Sequence, residues 1–81
     1  MRKIIDRKVY DTEKSTQLGH KHVGEFGQSD GYEEQLFITK SGSHFIYGIG
    51  GSESAYCEPV IKLLTDKQVK EWKKAKNSVI Y

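Results

Sequence analysis

Apolar residues fall into short alternating runs separated by polar or glycine-rich breaks, until one C-terminal stretch switches to a helical period. Lys3 to Tyr10 reads as a short strand, with Ile5 and Val9 on one face and Ile4 and Tyr10 on the other, because side chains alternate along extended backbone. Asp11-Thr12-Glu13-Lys14-Ser15 is a polar turn, and Thr16 to Val23 can return as a second strand. Gly24 to Gly31 is dense in chain breakers and reads as a loop, with Phe26 folding back over an edge of the core.

The stretch Tyr32 to Tyr56 holds most of the predicted core. A two-residue turn at Ser41-Gly42 pairs Ile38 with Phe45 and Leu36 with Tyr47. That register places Leu36, Ile38, Phe45, Tyr47 and Ile49 on one face, and Phe37, Thr39, His44 and Ile46 on the other. A slip of one residue would send each apolar set to the opposite face. Ser-Gly is a weaker turn signal than Asn-Gly, so a longer loop fits as well. Gly48 to Ser54 is a second connection. Ala55 to Leu63 can form a fourth strand, interrupted by Pro59, which lacks an amide donor and suits an edge or a bulge.

The C-terminal segment carries helix signals. Thr65 is an N-cap with Gln68 three residues on, a capping box, and Leu64 and Val69 are spaced for a hydrophobic staple. Val69, Trp72 and Ala75 share one side of the helix, with Lys67, Lys70 and Lys74 opposite. Asn77 can adopt the left-handed conformation that ends a helix. The tail Val79-Ile80-Tyr81 is too apolar for an ordinary frayed end and is expected on the sheet or on a second subunit, so monomer and homodimer both stand open. The predicted architecture is one α+β domain over residues 1–81. It consists of a small antiparallel β-sheet of about four strands with one C-terminal amphipathic helix packed on it through Trp72.

Composition narrows the function classes. Eighty-one residues suffice for one thin-cored domain, burying about 60–65% of the unfolded surface, with no room for separate catalytic and substrate domains. Hydrophobic residues at 36% and charged residues at 30% describe a folded chain rather than a disordered one. No apolar run approaches the roughly 18 residues that span a bilayer, so no membrane partner is expected. The charged start Met1-Arg2-Lys3-Ile4-Ile5-Asp6 does not resemble a signal peptide. A single cysteine, Cys57, cannot close an internal disulfide and reads as a buried structural thiol in a reducing cytoplasm.

Charge is unevenly distributed: residues 1–21 carry net +3, residues 22–61 net −5 and residues 62–81 net +4. Such a chain can present faces of opposite sign, which steer charged partners.

The candidate chemistry is sparse. Gly48-x-Gly50-Gly51 lacks the helix start that a phosphate cradle needs, since Ser52-Glu53-Ser54-Ala55 follows. The pair His20 and His22 points to one side of a strand, with no partner at zinc-ligand spacing. Cys57 lies beside Glu58 in the acidic segment, whereas a nucleophilic thiol wants electropositive surroundings. Glu33 and Glu34 are adjacent and face opposite ways on a strand. No catalytic residue, metal site or cofactor is therefore expected, and the chain reads as a non-enzyme. Two surfaces remain. Tyr10, Tyr32, Phe37 and Tyr56 cannot all fit in so small a core, and ringed by Glu25, Asp30, Glu33, Glu34 and Glu53 they would form an acidic, tyrosine-bearing protein-binding patch. The alternative is nucleic-acid binding through Lys67, Lys70 and Lys74.

Four segments carry a resemblance: Lys3-Ile4-Ile5-Asp6 with Val9-Tyr10-Asp11-Thr12-Glu13; Glu34-x-Leu36-Phe37-x-Thr39-Lys40-x-Gly42; Phe45-x-Tyr47-Gly48-x-Gly50-Gly51; and Leu64-Thr65-Asp66-x-x-Val69-Lys70-Glu71-Trp72. In these the chain resembles a loosely characterised group of small proteins of Gram-positive bacteria, their phages and mobile elements. Ile49 departs from the acidic residue expected before the paired glycines. The motifs are structural, so no catalytic residue carries over. The resemblance implies an inhibitor that binds a host defence protein in the bacterial cytoplasm, as anti-CRISPR proteins bind CRISPR-associated nucleases.

Overall fold

The backbone turns back on itself at Asp6 and Arg7, which take φ of 50° and 65°. Two consecutive left-handed residues make the two-residue hairpin turn whose twist matches the strands it joins. The predicted single strand from Lys3 to Tyr10 is therefore two, β1 (Arg2–Ile5) and β2 (Lys8–Asp11). Neither turn residue is glycine or asparagine, which is why the sequence pattern does not reveal the break. Lys3 pairs with Tyr10 and Ile4 with Val9, so Tyr10 turns into the core while Ile4 and Val9 face outward, 63% and 50% exposed.

The computed structural model of the chain describes residues 2–24, 29–75 and 78–81. After the hairpin come β3 (Thr16–Val23), β4 (Tyr32–Ile38), β5 (His44–Gly50), β6 (Val60–Leu64), α1 (Asp66–Lys74) and β7 (Ser78–Ile80). β3 to β7 form one sheet in the order β6-β5-β4-β3-β7, antiparallel at every neighbour, and β1 and β2 form a separate two-stranded sheet. The α+β class is as predicted. The described residues contain seven strands rather than about four, and the helix is followed by β7 rather than ending the chain. α1 links β6 and β7, the two edges of the large sheet. Phe26 and Asn77, given roles above, lie outside the described residues.

The sheet is buried on both sides. The hairpin covers one face, where Tyr10, Phe37, Phe45 and Ile61 pack with Ile5, Tyr47 and Leu63. Phe37 and Phe45 stack with centroids 5.2 Å apart, and Tyr10 meets Phe45 edge-on at 5.7 Å. The helix covers the other face, where Leu36, Ile46, Val69 and Trp72 pack with Leu18, Tyr56 and Leu64. Leu18 is the extra residue of a bulge between Gln17 and Gly19. A bulge re-aims one side chain, and here it delivers leucine to the helix side.

The β4–β5 register corrects the predicted one. Residues 39–43 form a five-residue loop in which the Thr39 N–H donates to Ser43 O at 2.9 Å and Gly42 takes φ of 90°. Phe37 thus pairs with Phe45, Leu36 with Ile46 and Ile38 with His44. Leu36 and Ile38 face the helix, whereas Phe45, Tyr47 and Ile49 face the hairpin side. β6 begins at Val60, after Pro59, and Cys57 is exposed on the loop before it rather than buried.

The helix carries both halves of its capping box: the Gln68 N–H donates to Thr65 Oγ1 at 3.2 Å, and Gln68 Oε1 accepts the Thr65 N–H at 2.9 Å. It closes at Ala75, whose N–H donates to Trp72 O. Val79 and Ile80 join the sheet as β7 beside β3, and Tyr81 hydrogen-bonds His20 Nδ1 through its hydroxyl at 2.8 Å. Among the described residues no helix is long and apolar enough to cross a membrane.

Candidate functional site

Glu34 lies midway along β4, cross-strand from Lys21 on one side and Gly48 on the other, facing the helix. It is 7% exposed. The absence of a side chain at Gly48 leaves the path along which Tyr56 crosses β5, since a Cβ there would lie 2.5 Å from the Tyr56 ring. Tyr56 then donates its hydroxyl to Glu34 Oε2. The Trp72 indole N–H donates to Oε1 at 3.1 Å, and Lys21 Nζ stands 3.1 Å from the same oxygen.

Burial pushes the Glu34 carboxyl up, but the Tyr56 hydroxyl, the bond and charge of Lys21, and the Trp72 indole outweigh it and hold it below its usual value. For Tyr56 the effects add: burial, then the hydrogen bond and charge of Glu34, push the phenol well above its ordinary range. A carboxylate with both oxygens occupied by donors is a tie between elements rather than a proton donor. It joins β3, β4, the helix and the loop after β5. Glu34 is therefore not part of an exposed acidic patch.

The remaining predicted patch residues divide by position. Two loops meet at the end of the sheet where β4 begins. The Gly51 N–H donates to Gly31 O at 3.0 Å, the Glu53 N–H to Ser29 O at 2.9 Å, and Ser29 Oγ to Glu53 Oε2 at 3.0 Å. Asp30, between the two clamped residues, is exposed, as is Glu53. Tyr32 and Tyr56, half-buried, meet edge to face with centroids 5.2 Å apart. Asp30, Tyr32, Glu53 and Tyr56 thus share one end of the molecule. Glu33 faces the opposite side of the sheet, across from His22 and Ile49. Phe37 is 5% exposed and belongs to the hairpin-side core, so it offers no surface. Glu58 is exposed on the same loop as Glu53. Glu25 lies outside the described residues.

Lys67, Lys70 and Lys74 are all exposed on the helix surface away from Val69 and Trp72, and Lys73 is exposed one turn on from Val69. Among the described residues Lys21–Glu34 is the only ion pair, so these lysines face solvent unneutralised. Lys73 and Lys74 in the last turn also complement the helix dipole.

In comparisons with known proteins, no family model, curated protein or solved structure matches this chain.

Proposed function

We propose that this protein is a non-enzymatic binding module whose acidic, tyrosine-bearing loop end docks on a basic surface of another protein. The observation that carries this reading is the clamp between the two loops, Ser29 to Glu53 and Gly51 to Gly31, which holds Asp30 and Glu53 beside the Tyr32–Tyr56 pair. A preordered loop end loses little entropy on docking, and tyrosines flanked by charge suit an interface core with a polar rim. In the setting that the resemblance implies, the partner is a host defence nuclease in the bacterial cytoplasm, and its nucleic-acid groove supplies the basic surface.

Affinity capture from bacterial lysate, with and without added nuclease, tests this. One host protein retained after nuclease, and lost with Asp30→Lys/Glu53→Lys, is the expected result. Retention that survives the double reversal removes the loop end from the interface.

A second reading rests on the exposed, unneutralised Lys67, Lys70 and Lys74. On this reading the helix contacts nucleic-acid phosphates, and recovery vanishes with nuclease. Each phosphate contact then adds about one unit to the salt slope of binding, so Lys67→Glu/Lys70→Glu abolishes both binding and slope.

A further inference from the structure

At the end of the sheet remote from Tyr32, the outer face of the hairpin, the turn after β2 and the β4–β5 loop line an open pocket of about 360 Å³. The seven residues of β4 set it roughly 20 Å from the acidic end. Arg2, Lys14 and Lys40 reach its rim from three separate segments, and none forms an ion pair among the described residues. Asp11 is the one acid in the lining, so the pocket carries net +2. Three basic groups against one acid leave excess positive charge around the pocket, and a bound anion offsets it. Ser15, Thr39 and Ser41 add hydroxyls, with Thr39 Oγ1 and Ser41 Oγ already 3.0 Å apart.

We infer that this pocket binds a small phosphomonoester bearing hydroxyl groups, of the size of a nucleoside monophosphate. A phosphomonoester carries about −1.5 to −2 at neutral pH, matching the pocket's charge, whereas a diester carries half as much. Arg2 and the two lysines hold the phosphate, with the hydroxyl side chains as further donors. Val9, half-exposed on the hairpin, is the apolar wall for the organic part of the ligand. Asp11 Oδ1 accepts the Glu13 N–H at 2.9 Å, which fixes the carboxylate and leaves Oδ2 to accept a ligand hydroxyl. The volume falls within the range of small-ligand sites. The inference stands apart from the docking reading, because it uses the opposite end of the sheet and none of the same residues.

The test is an amide-resolved NMR titration of the full chain with adenosine 5′-monophosphate, inorganic phosphate and a short single-stranded DNA, each in turn. Saturable shifts at Lys14, Ser15, Lys40 and Ser41 with adenosine 5′-monophosphate are expected, with weaker binding of inorganic phosphate. Arg2→Ala and Lys40→Ala, both at exposed positions that the fold tolerates, each weaken binding about tenfold or more, the effect of one lost charge-assisted contact. Lys62→Ala, an exposed lysine outside the pocket, leaves it unchanged. Four results overturn the assignment: no saturable shift up to roughly 10 mM ligand; equal loss with Lys62→Ala; equal binding of inorganic phosphate; or DNA preferred over the nucleotide.

Discussion

Trp72 donates its indole N–H to Oε1 of Glu34 across 3.1 Å, which ties the helix to the central strand of the sheet. Both residues are nearly excluded from water. A buried charge is tolerated only where donors replace its hydration, and Glu34 has donors on both oxygens. The tie explains why so small a core holds four separate segments in place.

Glu34→Gln is expected to cost about 1–3 kcal/mol at neutral pH, because charge-assisted bonds become neutral and Lys21 loses its counter-ion. The fold holds the Glu34 carboxyl below its ordinary 4.5, so its contribution is complete above that value and fades as pH falls through the lower folded value. Urea unfolding followed from pH 7 down to acid checks this. The gap between wild type and Glu34→Gln should close as the solution becomes acidic, and a gap constant with pH would show that the carboxylate's charge is not the cause.

Tyr56→Phe acts at the other end of the pH scale. The Tyr56 phenol is raised above its ordinary 10, so the stability it adds is complete below pH 10 and is lost as pH rises toward the folded value. Alkaline titration of unfolding should show a fall above pH 10 in the wild type that is smaller in Tyr56→Phe. Lysine deprotonation is common to both chains and cancels in the comparison.

The glycines of β5 and its preceding loop separate two effects. Alanine at Gly48 would put a Cβ 2.5 Å from the Tyr56 ring, and the strand cannot retreat because it pairs on both sides. A loss of about 1–3 kcal/mol is expected, with weakened near-ultraviolet circular dichroism as Tyr56 is displaced from Glu34. Alanine at Gly42 meets nothing within 4 Å, so only its φ of 90° resists, at a cost of about 1–2 kcal/mol and with unchanged aromatic signal. Equal spectral changes in the two variants would refute the packing role assigned to Gly48.

What could be read in advance follows from how local each signal is. The helix is legible because Thr65, Gln68, Val69 and Trp72 encode its cap and buried face within eight residues. The β4–β5 hairpin is legible as a hairpin but not in register. Both sheet faces are buried, so Leu36 and Phe37 are equally apolar and alternation cannot choose between them. The actual loop is set by Thr39 and Ser43 bonding across it, a signal weaker than any turn dipeptide. The candidate patch was half legible. Asp30, Tyr32, Glu53 and Tyr56 meet through contacts between residues more than twenty apart in sequence, whereas Glu34 looks like any surface acid until Trp72 and Tyr56 close over it.

β7 is the element most open to a decisive perturbation. It contributes three residues, held to β3 opposite Gly19, His20 and Lys21, and Tyr81 adds its N–H to Leu18 O at 2.9 Å. Its approach depends on Gly19, where a Cβ would lie 2.4 Å from the Val79 carbonyl oxygen. Gly19→Ala should therefore detach β7 while β3 stays paired with β4. Hydrogen exchange is expected to lose protection at Ile80 and Tyr81, with β4 and β5 unchanged. Freeing β3 also exposes a row of unpaired backbone groups at Gly19, His20 and Lys21, the condition under which sheet edges associate. Sedimentation of Gly19→Ala should accordingly show concentration-dependent association exceeding that of the wild type. If β4 and β5 lose protection together with β7, the tail is part of the cooperative core rather than a detachable edge.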